Sequence, residues 1–424
     1  MNLLLLILLI LELPVIYYIN GKNIVSPSFI GCCGFILSAF VLNLSGDFFQ
    51  YDIHAFTVFI ILITLIIILL GEKFANKIGT TKFSLYRVEE QESIITISSF
   101  TYIVLFLFVI VSGYLYLQDA YVYSLKVGNS VGGYFSIARY TRFVGGYSPS
   151  TILGQASVLS ESIVYFCMYV FFYNLVLFKK RNLVTLLPLT GFVFHILVND
   201  GRSAIIKYFC VSCIMYFVIY KQANGWKKEA NKKLLRIGIC SVLAFLVVFR
   251  ILGYRTGTSI NNALWDNLSE YLSSGIVGLD ISTTAEATGN QIFGQNTFKA
   301  IYETLRGWGA NVPIINANRE FFSFAQGTSN VYTGIDGYIL DFGLIGAFFA
   351  FFLWGAVIKW TEKRVKKCGL SLIWLYFIGL LYYPVTMLSI AGATHVVLCM
   401  PTIYTIVYLW LLQQVLIYKR VKVK

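Results

Sequence analysis

The chain has 424 residues, of which 58% are hydrophobic and only 12% charged, with a mean hydropathy of +0.73. Soluble domains carry about 25% charged residues, so a soluble globular enzyme, a secreted disulfide scaffold and a disordered chain are all excluded. A formal net charge of +13 would suggest nucleic acid as the partner of a soluble protein. Here the basic residues stand between long apolar runs, which points to membrane lipid and to no nucleic acid.

A helix that crosses a bilayer needs about 20 mostly apolar residues at about 1.5 Å rise each. Eleven segments qualify, at about 2–19, 27–45, 54–70, 94–117, 157–178, 183–198, 203–220, 235–252, 335–358, 371–390 and 393–412. The first has no basic leader and no small-residue cleavage site, so it is expected to be retained. The expected class is an all-α polytopic membrane protein. Residues 1–252 hold helices 1–8 with an outer loop at 118–156, and residues 253–334 form a large extracytoplasmic loop. Residues 335–424 hold helices 9–11 and a basic cytoplasmic tail.

Lysine and arginine in loops set the orientation. With the N-terminus outside and the C-terminus inside, five basic clusters face the cytoplasm: Lys73 to Arg87, Lys179 to Arg181, Lys221 to Arg236, Lys359 to Lys367 and Lys419 to Lys424. The long segment 253–334 is too long for a structureless connection and is expected to form a folded cap or re-entrant layer. Within it Leu264, Leu268, Leu272 and Ile276 recur every fourth residue, which predicts a short amphipathic helix on the outer face. None of the eight cysteines falls in the two long outer loops, so no disulfide framework is implied. Cys210 and Cys213 form a CxxC inside an apolar span, where core packing explains them.

The two basic populations differ in kind. The predicted inner side carries 18 lysines and 5 arginines, whereas the outer side carries 7 arginines (139, 142, 202, 250, 255, 306 and 319) and 3 lysines. Topology alone does not select arginine. The guanidinium fork matches phosphate or carboxylate with two parallel hydrogen bonds and stays charged when desolvated. Arg202 opens a span after Asn199-Asp200-Gly201, where free N–H groups also favour an anion. Arg250 lies within the apolar run 247–252, and a charge there is a functional candidate. Pairing with a structural acid, or snorkelling of Arg250 and Arg255 to headgroups, is the competing explanation. Arg139 and Arg142 share a helix face, which solvation explains equally well.

Asp336 and Asp341 stand at the outer start of the ninth span, and Asp341 precedes uninterrupted apolar sequence. A buried carboxylate there could act as a base or hold an arginine in place. The three histidines, 54, 195 and 395, all fall near outer ends of spans, with His395 in what reads as a very short hairpin. Trp265, Tyr271, Phe293, Tyr302, Trp308, Phe321, Phe322 and Tyr332 alternate with Gly, Asn, Ser and Thr in the long outer segment. Such a mixture suits sugar rings and hydroxyls, and equally a generic folded cap. Compact metal-ligand spacing, a phosphate-binding GxxxxGK[ST] and a dinucleotide fingerprint are all missing, so neither a metal nor a nucleotide cofactor is expected.

The run Thr328-Ser329-Asn330-Val331-Tyr332-Thr333, followed by Asp341-Phe342-Gly343 and Gly346, resembles a late motif of bacterial oligosaccharide repeat-unit polymerases, the Wzy-type O-antigen and capsule polymerases. Gly201-Arg202-Ser203 is similar to another recurrent element of that family. The resemblance implies a GT-C-like membrane glycosyltransferase in the bacterial plasma membrane, working on its outer face. Its substrates would be undecaprenyl-pyrophosphate-linked oligosaccharides, with a chain-length regulator and a flippase as further partners and no cofactor. The RX₁₀G pattern of some members is missing, since Ser150 and Leu153 stand eleven positions after Arg139 and Arg142.

On this reading Arg202, Arg250 and Arg255 bind the donor pyrophosphate, and the catalytic base is Asp341, Asp336 or His395. Asn330, Tyr332, Arg319, Arg139 and Arg142 meet the glycan. An O-antigen ligase shares the donor and the side of the membrane. A lipid-linked oligosaccharide flippase is the non-enzymatic alternative.

Overall fold

The computed structural model describes residues 1–78, 93–128, 133–135, 137–138, 147, 149–198, 202–227, 231–240, 264–284, 292–313 and 319–418. The chain is nearly all helical, and eight of its described helices are long and apolar enough to cross a membrane. This is the build of a multi-pass membrane protein. Two further expected spans form shorter apolar helical stretches, at Leu183–Ile196 and Leu372–Thr386. The second has 15 residues, about 22 Å of helix against about 30 Å of hydrocarbon. Of the expected span 235–252, residues 235–240 are helical and the remainder lies outside the described residues.

The helices gather into two compact units. One comprises Met1–Leu85, Ser259–Lys367 and Leu380–Met400, the other Tyr86–Thr258, Cys368–Gly379 and Pro401–Lys424. In the first unit α1 (Asn2–Ile19), α2 (Pro27–Leu44) and α4 (Ala55–Lys77) pack together, and the short α3 (Gly46–Phe49) follows α2. Leu5, Leu9, Ile16, Phe35, Ile60 and Leu65 fill their shared core. In the second unit α5 (Ser99–Lys126) packs against α6 (Thr151–Phe178) and against two short helices, α7 (Leu187–Gly191) and α8 (Val193–Val198). There α9 (Arg202–Ala223) lies along α6.

The long outer segment is folded and departs from its expected form. Its main element, α10 (Leu264–Thr284), is 21 residues long and packs against α2 and α4. Ile276, Val277 and Leu279 are fully buried in the hydrophobic core, and Ser269, Ser273, Ser274 and Asp280 are fully buried with them, whereas Leu268 and Leu272 are only half-buried. Ser273 Oγ donates to the Ser38 carbonyl at 3.0 Å, and the Ser45 and Ser269 hydroxyls meet at 2.5 Å. Small side chains let the backbones approach closely while hydroxyls satisfy the polar groups between them. The predicted surface helix is thus a core helix of the first unit.

Next come α11 (Lys299–Gly307) and a hairpin of β1 (Phe322–Phe324) and β2 (Gly327–Ser329), in which Phe322 pairs with Ser329. The hairpin leads into α12 (Gly334–Cys368), which is interrupted at Gly343. The last helices, α13 (Leu372–Thr386) and α14 (Met400–Gln413), are joined by an irregular segment. Sequence predicted a very short hairpin there. Instead Met387, Leu388, Ser389, Ala393 and Thr394 are buried, and the backbone groups bond inside the protein, as with Gly334 N to the Leu388 carbonyl at 2.8 Å. Irregular backbone is tolerated in a membrane protein where it is enclosed by protein.

Candidate functional site

Three of the residues singled out from sequence meet at the start of α12. The Arg319 guanidinium pairs with the Asp336 carboxylate and lies 4.3 Å above the Tyr332 ring. Asp336 is almost fully buried and Arg319 is 29% exposed, so the cation reaches from solvent down to the acid. Ser282, near the end of α10, donates to the other Asp336 oxygen. Tyr332 in turn donates to the Glu320 carbonyl at 3.1 Å and packs its ring on Phe322 at 5.3 Å. Burial raises the Tyr332 phenol above its ordinary value, opposed by the Arg319 charge. Planar guanidinium over an aromatic ring, anchored by a carboxylate, forms a rigid polar and aromatic surface.

Asp341 does different work. Its carboxylate accepts from Asn296 N at 3.0 and 3.1 Å, from Asn296 Nδ2 at 2.9 Å and from Thr297 N at 2.7 Å. Both oxygens are therefore occupied in holding the loop before α11. Gly343, two residues on, has φ 68° and ψ 176°, a region essentially reserved for glycine. The Asp-Phe-Gly triplet is thus a structural junction: the acid fixes the loop, Phe342 packs on Phe293 and Phe298, and the glycine redirects the helix. Asn330 is exposed, just after the hairpin.

His395 is half-buried on the 3-10 turn Thr394–Val396, which packs against α11. Tyr338 on α12 and Thr394 share a 2.6 Å hydrogen bond, so this turn is fixed to the same helix that carries Asp336 and Asp341. Arg139, Arg142, Arg250 and Arg255 lie outside the described residues, and Arg202 opens α9 with its side chain likewise outside them.

The cap aromatics divide into two sets. Phe322 is buried, whereas Phe293, Trp308 and Phe321 are strongly exposed and Trp265 partly so.

Sequence reading missed a second polar centre. Asp280 on α10 is fully buried and receives four donors: Tyr51 Oη at 2.7 Å, His54 N at 2.8 Å, His54 Nδ1 at 2.7 Å and Thr57 Oγ1 at 2.6 Å. Burial raises its pKa, but hydrogen bonds from Thr57, Tyr51 and His54 outweigh this and hold it below the usual carboxylate value. The only signal in the sequence was an acid between Leu279 and Ile281. The other histidine, His195, is buried in the second unit with Ser112 on Nε2 at 3.2 Å and Ser157 on Nδ1 at 3.1 Å. Both its nitrogens are engaged, which makes it a structural link between α5, α6 and α8. Among the described residues no group of three or more His, Cys, Asp or Glu could hold a metal ion.

The fold and site define a nearly all-helical protein of multi-pass membrane build with a folded polar and aromatic layer at one end of its first unit. No protein-family model, curated protein or solved structure matches the chain.

Proposed function

We propose that the protein is a membrane glycosyltransferase that polymerises undecaprenyl-pyrophosphate-linked oligosaccharide repeat units into O-antigen or capsular polysaccharide. It resides in the bacterial plasma membrane, with a GT-C-like architecture of eleven crossings, its N-terminus and folded layer outside and its C-terminus in the cytoplasm. The growing chain moves from its lipid carrier to a hydroxyl of a new lipid-linked repeat. The sugar C1–oxygen bond to pyrophosphate breaks, the new glycosidic bond forms, and lipid pyrophosphate departs with the electron pair.

Negative charge grows on the leaving pyrophosphate. Fixed arginines in a poorly hydrated site stabilise that charge more in the transition state than in the ground state. Arg202, Arg250 and Arg255 are assigned to it. Arg319 and Tyr332 meet the glycan, with Asp336 holding the guanidinium in place beneath them and Asn330 exposed two residues before Tyr332.

The observation that supports this reading best is the Arg319–Asp336 pair seated on the Tyr332 ring, in a layer that also exposes Phe293, Trp308 and Phe321. Sugars are recognised by such a combination of flat apolar faces and fixed polar groups.

The test uses purified protein and undecaprenyl-pyrophosphate-linked repeat units without nucleotide sugar or added metal. Formation of a ladder of lengthened lipid-linked glycans is expected. Transfer only to a lipid A core would identify a ligase, and translocation without lengthening a flippase. In a polymerase-null strain, Arg202→Ala and Arg250→Ala should leave single-repeat glycan, and a normal ladder with both would sink their assignment. Arg319→Ala should cut lengthening at least tenfold, on the scale of about 1.4 kcal/mol or more, with Arg319→Lys restoring little because it lacks the planar fork.

A further inference from the structure

We propose that His54 is the base that takes the proton from the acceptor hydroxyl, with Asp280 as its positioning residue; the proposal rests on the polymerase reading above.

The argument begins with which groups are still able to accept a proton. Both oxygens of Asp341 are held by the N–H groups of Asn296 and Thr297. Both oxygens of Asp336 are taken by Ser282 and Arg319. Both carboxylates are thus engaged in holding neighbouring groups in place, and neither is free to approach an acceptor hydroxyl. His54 is arranged in the opposite way. Its Nδ1 lies 2.7 Å from an oxygen of Asp280, while its side chain is 62% exposed and Asp280 is fully buried. A buried carboxylate accepts, so Nδ1 carries the proton and Nε2 presents its lone pair to solvent. A buried acid that fixes the tautomer and then stabilises the imidazolium is the arrangement a histidine base needs.

The local backbone holds this ring still. His54 also gives its main-chain N–H to Asp280, and Tyr51 and Thr57 complete the carboxylate's shell. Asp52, the nearby exposed acid, is bound by the terminal ammonium of Met1 and by Asn2 N at 3.1 Å.

His54 also belongs to the layer that carries the glycan residues. Asp280, which holds His54, and Ser282, which donates to Asp336, both lie in the last two turns of α10, on different sides of that helix. The segment before His54 bonds to the hairpin turn: Ala325 N to the Phe49 carbonyl at 3.3 Å, Gln326 N to the Phe48 carbonyl at 3.2 Å, and Gln326 Nε2 to the Asp47 carbonyl at 3.0 Å. That hairpin leads directly to Asn330 and Tyr332.

In the step, Nε2 takes the hydroxyl proton as the acceptor oxygen bonds to the donor sugar C1, and lipid pyrophosphate leaves with the electrons of the broken bond. The imidazolium then releases its proton to water.

The experiment compares wild type, His54→Asn and His54→Ala with lipid-linked repeat units across pH. Asparagine keeps a donor near the Nδ1 position and removes Nε2. The expected result is an unchanged melting temperature for His54→Asn with lengthening about 10²–10⁴-fold slower. The acid limb of the wild-type pH–rate profile should vanish in that variant, and imidazole should restore part of the His54→Ala rate. Lengthening by His54→Asn within about threefold of wild type overturns the role while the polymerase reading stands. So does a joint loss of stability and activity that imidazole cannot rescue. A wild-type protein that never lengthens the repeats overturns both.

Discussion

Asp280 illustrates how a single side chain couples two distant pieces of sequence. Its four donors come from the 51–57 region, whereas the acid itself lies on α10. Because these bonds favour the ionised form and its folded pKa is depressed, it stabilises the fold above the ordinary carboxylate value and that stabilisation is lost as pH falls through the folded one. The melting temperature of wild type should therefore fall from about pH 4 downward, more steeply than that of Asp280→Asn. At neutral pH Asp280→Asn should already be less stable by about 1–3 kcal/mol, since it replaces an acceptor shared by several buried donors. Equal pH slopes in a thermal melt would refute this. Asp336 and Asp341 were visible in the sequence as acids heading an apolar run. Their roles were not, because Arg319, Ser282 and Asn296 carry no local mark of being their partners. Asp280 drew no notice because it lies beyond the four-residue repeat that ends at Ile276, in a part of the helix the sequence did not predict.

Helices in this chain meet through small residues, and that is where substitutions should be felt. A methyl on Gly355 would lie 2.2 Å from the Ile68 carbonyl oxygen, and one on Gly71 would lie 2.0 Å from that of Phe352. Here α4 and α12 touch backbone to backbone, so Gly355→Ala must push them apart. Overpacking of this kind costs about 1–3 kcal/mol, which a melt in detergent should report as a clear drop. An unchanged melt would mean that the crossing is looser than its geometry. Just beyond, Lys363 Nζ donates to the carbonyls of Ala75, Asn76 and Ile78 at 2.7 to 3.1 Å, satisfying orphan groups at the end of α4. The Asp341 anchor gives a second prediction at this scale. Asp341→Ala deprives Asn296 N and Thr297 N of their acceptor, so hydrogen exchange at residues 292–298 should accelerate about tenfold or more for a loss of about 1.4 kcal/mol. Unchanged exchange there would show that the loop is held by something else.

Over the whole molecule, the charge asymmetry predicts which ends face which compartment. A reporter that functions only in the cytoplasm should be active when fused after Lys424 and inactive when inserted before Gly327, at the turn of the hairpin. The opposite pattern would overturn the proposed orientation and with it the siting of the chemistry outside. The excess of +13 is a topology signal, and the arginine-rich outer minority is where ligand binding is proposed.

Composition and apolar run length alone determined that the chain is helical and of membrane-spanning build, because the bilayer demands long stretches with internally satisfied backbones. The positions of the long helices were accordingly legible, although five of the eight differ from their expected bounds by six to ten residues at one end. Only the tertiary structure decided that α10 is a core helix with a serine face. It likewise decided that the segment before α14 is a buried irregular connection, and that Asp341 anchors a loop while Asp336 holds an arginine. Hydrophobic periodicity reports the side chains that avoid water. It is silent on hydroxyls and carboxylates whose burial depends on a donor supplied from elsewhere in the chain.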